Sequence, residues 1–264
     1  MTINVKPFIK WAGGKSSIKD ELIAKLPKKY SSYHELFLGG GAIFFNLQPK
    51  KAYISDINIK LITTYQSIQN EVETIITQLK THQKKHNINY YLDCRKEFNS
   101  ETDPLRIASL FIYLNKTCYN GLYRVNQKGH FNVPMGNYKN PNILDEDNLR
   151  QCSKILQNTH IKYIDFKSIK PKSNQFFYMD PPYHQTFTSY TKNGFDDNEQ
   201  INLYNTCTII DKNKGYFMQS NSDTPFIRKL YKDYNIDTIK VPRFISCNKN
   251  NRKKAPELII RNYE

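Results

Sequence analysis

The chain of 264 residues carries 39 lysines and arginines against 24 aspartates and glutamates, a formal net charge of +15. Its 39 % apolar content is enough for a buried core in one large domain or two small ones, and argues against intrinsic disorder. No apolar run approaches the roughly 20 residues of a membrane helix. The opening MTINVKPFIK lacks the apolar stretch of a signal peptide, so a cytoplasmic protein is expected.

The charge excess points to a polyanionic partner, most often nucleic acid, against the blander alternative of a basic surface kept for solubility. The five cysteines (Cys94, Cys118, Cys152, Cys207 and Cys247) are widely spaced and form no CxxC. That fits free thiols rather than a disulfide framework or a zinc site. His82 and His86 stand four residues apart in THQKKHN without a carboxylate ligand nearby. A solvated helix face is expected there, and no metal.

In chain order, Pro7 to Trp11 reads as an extended lead-in to a turn at Gly13-Gly14. A helix follows from near Ser16, with the stripe Ile18, Leu22, Ile23, Leu26, and Pro27 stops it. His34 to Leu38 reads as a buried strand running into Gly39-Gly40-Gly41. GAIFFNL starts a helix, and AYIS (52–55) is a second strand ending at Asp56. This is the start of a parallel α/β sheet. Residues 57–98 are polar and helical in pattern, and Pro104 opens a further helix, LRIASLFIYLN. Residues 118–140 are rich in Gly and Asn and alternate around Gln127-Lys128-Gly129, which predicts a β-hairpin or a long loop. Strand-like runs resume with IKYID, QFFYM, GYFMQS, IDTIKV and ELIIRNY, with helices expected at 196–212 and 224–233. The layout is one α/β unit, 1–56 and 156–264, interrupted by an insertion, 57–155.

Two glycine motifs fail their patterns. GGKS (13–16) lacks the glycine a phosphate-binding P-loop needs at position 9, where Ile9 stands. Gly39-x-Gly41 lacks the third glycine of a dinucleotide fingerprint, since position 44 is Phe44. What remains is a strand, a glycine turn and a carboxylate, Asp56, placed to accept from two ribose hydroxyls.

The strongest signal is Asp180-Pro181-Pro182-Tyr183, directly after QFFYM. Two prolines cannot donate to a ladder, so the strand ends in a rigid turn. A carboxylate, a fixed carbonyl and an aromatic ring then stand together at the carboxyl edge of the sheet, where ligands bind in open α/β folds. An exocyclic amine such as adenine N6 is a poor nucleophile because its lone pair is delocalised. Hydrogen bonds from N6 to the Asp180 carboxylate and the Pro181 carbonyl favour a more tetrahedral nitrogen that can attack an activated methyl. Tyr183 can stack on the base. Such catalysis is positioning and electrostatics and needs no metal. A base within a duplex must be flipped out to reach this pocket, at a cost of about a few kcal/mol.

With these motifs the chain resembles the DNA adenine-N6 methyltransferases, specifically the Dam family acting on GATC. PFIKWAGGK (7–15) resembles the N-terminal cofactor motif, ELFLGGGAIF (35–44) the glycine motif, and SDIN (55–58) the ribose-binding acid. DPPY (180–183) resembles the catalytic motif, LNKTCYNGLYRVNQKGHFNVPMGNYKNP (114–141) the recognition hairpin, and FISCNKNNRKKAPELI (244–259) the C-terminal segment. The resemblance implies a Rossmann-like S-adenosylmethionine-dependent methyltransferase sheet with an inserted helical target-recognition domain carrying a β-hairpin. It implies S-adenosyl-L-methionine as cofactor, double-stranded DNA as partner, and a monomer without an obligatory protein partner.

Carried over by residue, it places Trp11, Lys15, Phe37, Gly39, Asp56, Asp165 and Asp180 around the cofactor. Asp180, Pro181, Pro182 and Tyr183 form the catalytic motif. Arg124 would read a guanine, Leu122 and Pro134 would pack near the thymine methyl, and Lys10 and Tyr138 would contact the first guanine. Tyr119 and Asn120 would enter the duplex beside the flipped base. Arg95, Lys116, Asn126, Asn132 and Lys139 would contact phosphate. The chain departs from the family at Cys118, often glycine; at Tyr123, usually smaller; at Leu36, often proline; and at Asn137, often basic. The rival readings are an amino-methyltransferase acting on RNA or on protein, one acting on another DNA sequence, and a DNA-binding protein that has lost catalysis.

Overall fold

The structure is a computed structural model and describes residues 4–185, 194–241 and 255–264. Seven strands form one sheet: β1 Ser32–Glu35, β2 Ala52–Asp56, β3 Thr159–Tyr163, β4 Gln175–Met179, β5 Tyr216–Ser222, β6 Asn235–Val241 and β7 Ala255–Arg261. Their order is β3-β2-β1-β4-β5-β7-β6. The first five run parallel, and β7 lies antiparallel between β5 and β6. The order reverses between β1 and β4, which opens a crevice at their carboxyl ends, the usual ligand position in such sheets.

The helices are α1 Lys19–Ala24, α2 Ala42–Leu47, α3 Ile59–Lys85, α4 Ile88–Ser100, α5 Pro104–Thr117, α6 Glu146–Leu156, α7 Asp197–Lys212 and α8 Pro225–Leu230. Their starts are written locally. Asn58, Asn87, Asp103, Asp145, Asp196 and Thr224 each cap a helix by accepting from a backbone N–H, and Pro104 and Pro225 occupy first-turn positions. Side chains alternate across the sheet. Phe176, Tyr178, Met218 and Ile259 join α1, α2, α3, α5 and α6 in one core. Phe177, Met179, Phe217, Leu258 and Ile260 face α7 and α8 in a second. Phe177, His34, Tyr53 and His160 stack face to face along β4, β1, β2 and β3, with centroids 4.4–4.7 Å apart.

Several expectations shift. The first strand is Ser32–Glu35, not 34–38, because 36–38 already turn to meet Ser55 and the glycine run. The strand expected at 161–165 occupies Thr159–Tyr163, which leaves Asp165 past its end. The last strand likewise starts two residues before ELIIRNY. The helical stretch 57–98 divides at 86–87, where Asn87 caps a new helix, and α3 has a non-helical residue at Glu71. Residues 118–136 are closed by isolated bridges, Cys118 to Met135 and Val125 to Phe131, rather than by paired strands.

His82 corrects the expected solvated face. Its ring is fully buried, stacks 4.7 Å from Tyr113 and bonds Tyr90 Oη at 2.9 Å. The polar run THQKKHN hides this because α4 and α5 close over only one side of α3. Burial pushes the His82 pKa down to about 3.

Candidate active site

Three carboxylates meet at the carboxyl edge of β1, β2 and β4. Glu35 ends β1, Asp56 ends β2 and Asp180 follows β4. Parallel pairing sets this convergence, since Glu35 lies opposite both Ile54 and Tyr178. Burial raises the Asp180 carboxyl, and the Lys15 ammonium draws it back. Lys15 is itself buried at 5 % exposure. Its Nζ lies 2.8 Å from Asp180 Oδ1, 4.8 Å from the Tyr183 ring centre, and donates to the Gly13 carbonyl at 2.8 Å. Asp180 Oδ1 is buried, and the Lys15 ammonium is the cation that faces it. A buried carboxylate oxygen with spare acceptor capacity is costly unless a ligand donates to it.

Tyr183 closes the site from the other side. Its hydroxyl donates to Glu257 Oε2 on β7 at 2.7 Å. Burial, together with Asp180 and Glu257, holds its pKa well above the usual phenol value, so it stays neutral.

The glycine turn shapes the floor. Gly39 has φ +48°, and a Cβ there would stand 2.6 Å from Trp11 Cδ1. Asp56 Oδ2 accepts from the Gly39 N–H at 3.1 Å, and Oδ1 from the Asn58 N–H at 2.9 Å. Burial raises this carboxyl and those N–H groups oppose the rise. Ile57 and Tyr163, about half exposed, offer apolar surface at the ends of β2 and β3 beside it. Phe37 packs 5.2 Å from Phe166. Asp165 caps the turn Phe166–Ser168, accepting from the Lys167 N–H at 2.9 Å, and its other oxygen lies 3.4 Å from Lys167 Nζ.

The residues expected to meet DNA come from the N-terminal lead-in, α4, α5 and the loop that follows α5. Lys10 Nζ lies 4.5 Å over the Tyr138 ring. Asn115 pins Lys10 through both backbone groups and also holds the Gly121 carbonyl. The Tyr119 N–H donates to the Pro134 carbonyl at 2.9 Å, and Tyr119 is 48 % exposed beside Asn120. Leu122 is half-buried, and Lys139 is exposed. Arg95 donates to the Val133 carbonyl at 3.2 Å. Burial lowers the Lys116 pKa, and nearby Lys10 lowers it further.

Asn126 and Asn132 are engaged within the loop. Asn126 Oδ1 accepts from the Lys128 and His130 N–H groups, and Asn132 Oδ1 accepts from Arg124 Nε at 2.8 Å. Tyr123, the oversized residue, lies between Trp11 and Phe111 with centroids at 5.7 and 5.4 Å. It therefore ties the loop to the glycine turn. Of the segment 244–259, residues 244–254 lie outside the described structure; Glu257 is the part that reaches the site.

Glu35 and Glu257 were missed by sequence reasoning. An acid directly before a glycine turn at a strand end was a usable signal for Glu35. Its carboxyl is buried, accepts from Tyr33 Oη at 2.6 Å, and is pushed up to about 8 by burial. Glu257 carried no signal, because its partner is 74 residues away.

The DPPY turn, the glycine turn and Asp56 thus stand together at the carboxyl edge of the sheet. The family model for "D12 class N6 adenine-specific DNA methyltransferase" matches residues 11–244. The chain belongs to this family. As a D12-class enzyme it is a methyltransferase whose substrate is adenine in DNA. It is 41 % identical to the type II methyltransferase M.MjaIII of Methanocaldococcus jannaschii, over 99 % of this chain and 100 % of the relative. It is 38 % identical to the type II methyltransferase M1.LlaDCHI of Lactococcus lactis subsp. cremoris, over 99 % and 96 %. It is 35 % identical to the DNA adenine methylase of Haemophilus influenzae, over 96 % and 92 %. The seven-stranded sheet is the Rossmann-like methyltransferase sheet expected for the family. Among the described residues no helix is long and apolar enough to cross a membrane.

Proposed function

We propose that this D12-class enzyme transfers a methyl group from S-adenosyl-L-methionine to N6 of an adenine flipped out of duplex GATC. The Asp180 carboxylate, its buried Oδ1 charge-paired with Lys15, carries the reading. It is an acceptor with capacity for a further donor at the end of β4, where Pro181 and Pro182 contribute carbonyls but no N–H.

The residues present fit the cofactor. Gly39 leaves a cradle that a side chain would fill, and Asp56 offers a carboxylate to a ribose diol. Ile57 and Tyr163 offer apolar surface for a purine. Trp11, Phe37 and Lys15 line the remaining sides, and Asp165 stands at the rim. Bound there, S-adenosylmethionine supplies an electrophilic methyl on a sulfonium sulfur.

Asp180 and the Pro181 carbonyl accept from the target N6 and localise its lone pair. Tyr183, neutral and anchored by Glu257, stacks on the base. Lys15 keeps Asp180 ionised against its burial. The cofactor would supply the methyl group and leave as the neutral thioether, and the surplus proton on N6 would pass to solvent. In the loop, Arg124 offers a bidentate pair to guanine, worth about 1–3 kcal/mol of discrimination. Leu122 and Pro134 flank the thymine methyl, and Lys10 with Tyr138 meets the first guanine. Tyr119 and Asn120 fill the space the base leaves. Arg95, Lys116 and Lys139 neutralise phosphates, with Asn126 and Asn132 beside them. Residues 57–155 form the recognition unit and the rest of the chain the catalytic unit, and the protein acts as a monomer.

The test is incubation of the purified protein with S-adenosylmethionine and unmethylated plasmid, followed by base-resolved mapping of N6-methyladenine. Methylation confined to GATC is expected. Another motif would overturn the assignments of Arg124, Leu122 and Tyr138 while keeping the chemistry. No transfer by folded, cofactor-binding protein would overturn the DNA reading.

A further inference from the structure

We propose that Gln200 and Asn221, a fully buried amide pair outside the DPPY motif, are positioning residues that hold the catalytic turn in its reactive geometry. This rests on the reading of Asp180 and the Pro181 carbonyl as acceptors for the target amine.

Past Met179 the chain leaves the β4 ladder, and among the described residues no strand pairs with it. Its next polar backbone groups are taken up by side chains instead. Gln200 Nε2, from α7, donates to the Pro182 carbonyl at 3.0 Å. The His184 N–H donates to Asn221 Oδ1, on β5, at 3.2 Å. The Ser222 hydroxyl donates to the His184 carbonyl at 2.7 Å. The two amides are linked, Asn221 Nδ2 donating to Gln200 Oε1 at 2.9 Å. Gln200 and Asn221 both have 0 % exposure.

Burying two amides is costly unless each finds its partners. Here the partners are one another, the Ser222 N–H and the backbone on either side of Tyr183. The pair therefore links α7 and β5 to the turn that carries Pro181 and Tyr183. A carbonyl that must meet a donor within a few tenths of an ångström needs such support, because hydrogen bonds weaken steeply off angle. Neither residue touches the reacting atoms; both act through the backbone of the motif.

Gln200→Glu isolates the bond. The isosteric acid still accepts from Asn221, but when ionised it cannot donate to the Pro182 carbonyl, and when protonated it can. Single-turnover methyl transfer is measured from pH 6 to pH 9, and each rate is divided by that of the unmodified protein. Cofactor and duplex dissociation constants are measured alongside, together with 2-aminopurine fluorescence at the target position. The ratio should be lowest at high pH, at least about tenfold down, and rise as pH falls, with both dissociation constants within about threefold. Gln200→Met, which removes the donor at every pH, should show a low and pH-independent ratio. A Gln200→Glu ratio that stays near one throughout, or a Gln200→Met rate equal to that of the unmodified protein, overturns the proposal. Asp180→Ala run in parallel separates the failures. If that variant still transfers methyl, the reading of the site falls and this inference with it. If it is inert while Gln200→Glu is unaffected, only the inference falls.

Discussion

The carboxyl edge of the sheet and the loop 118–139 are neighbours built on opposite principles. At the sheet edge, charges are buried or half-buried and already paired: Lys15 with Asp180, Tyr183 with Glu257, Asp56 with the Gly39 and Asn58 N–H groups. In the loop, Arg124, Asn126, Lys128 and His130 are exposed, and side-chain to backbone bonds replace a ladder. The chemistry is the same at every target site, so its groups gain from a fixed, low-dielectric setting where electrostatics are strong. Reading DNA demands donors that can exchange an internal partner for a base or a phosphate. Arg124 spends two of its donors on Asn132, which under the proposed reading leaves the rest of its fork for the groove.

The comparison breaks first at Asp180. Asp180→Ala should slow methyl transfer by about 10³-fold or more, as expected for loss of an acceptor used in the transition state, with duplex affinity nearly unchanged. A tritium-transfer assay beside a binding titration measures both. Equal loss of binding would mean that the sheet edge also holds the DNA.

Lys15→Met tests the paired charge. Without the ammonium, burial of Asp180 is unopposed and its pKa rises further. Transfer requires the ionised carboxylate, so activity is lost as pH falls through that pKa. The acid limb of the pH–rate profile should therefore move to higher pH, each pH unit of displacement costing roughly tenfold in rate on that limb. An unmoved limb would show that Lys15 serves the cofactor alone.

The loop should yield a different signature. Arg124→Ala should relax discrimination at one base pair by about 1–3 kcal/mol while leaving the rate on the remaining best site within an order of magnitude. Asn132→Ala should give a smaller loss at the same position, because it frees Arg124 without removing it. A competition assay over all single substitutions of the site reads both; loss at every position alike would place the two residues on phosphate.

Glu35→Gln has the smallest expected effect on turnover and a clear one on stability. The folded carboxyl titrates at about 8 because of its burial, well above its ordinary value of 4.5. As pH rises between these values the unfolded chain loses a proton that the folded chain keeps, so stability falls with pH across that window. The amide has no such proton. The variant should melt several degrees higher than the parent at pH 8.5 and nearly equal to it at pH 5. Equal melting at both would mean that Glu35 is already compensated by its neighbours.

Much of the frame was legible locally. QFFYM followed by DPPY announced both a strand and its end, and β4 is Gln175–Met179 as read. Pro104 marked the start of α5. Loop 118–140 was less legible, because alternation there reflects packing of Tyr123, Phe131 and Val133 onto α4 and α5 rather than strand pairing. His82 was misread for a related reason. A polar run shows what surrounds a residue in sequence, not which helices cover it.

By itself, the sequence determined the order of elements, the glycine turn, the DPPY turn and the basic balance of the protein. Each is set by backbone constraints and composition that act over a few residues: no N–H at proline, positive φ at glycine, charge that sums along the chain. Only the tertiary structure decided that Lys15 faces Asp180, that Glu257 anchors Tyr183, and that Gln200 and Asn221 hold the turn between them. Those pairings join positions 18 to 165 residues apart, through parallel register and burial. Whether a buried charge or amide is stable there depends on partners that nothing nearby in the chain names.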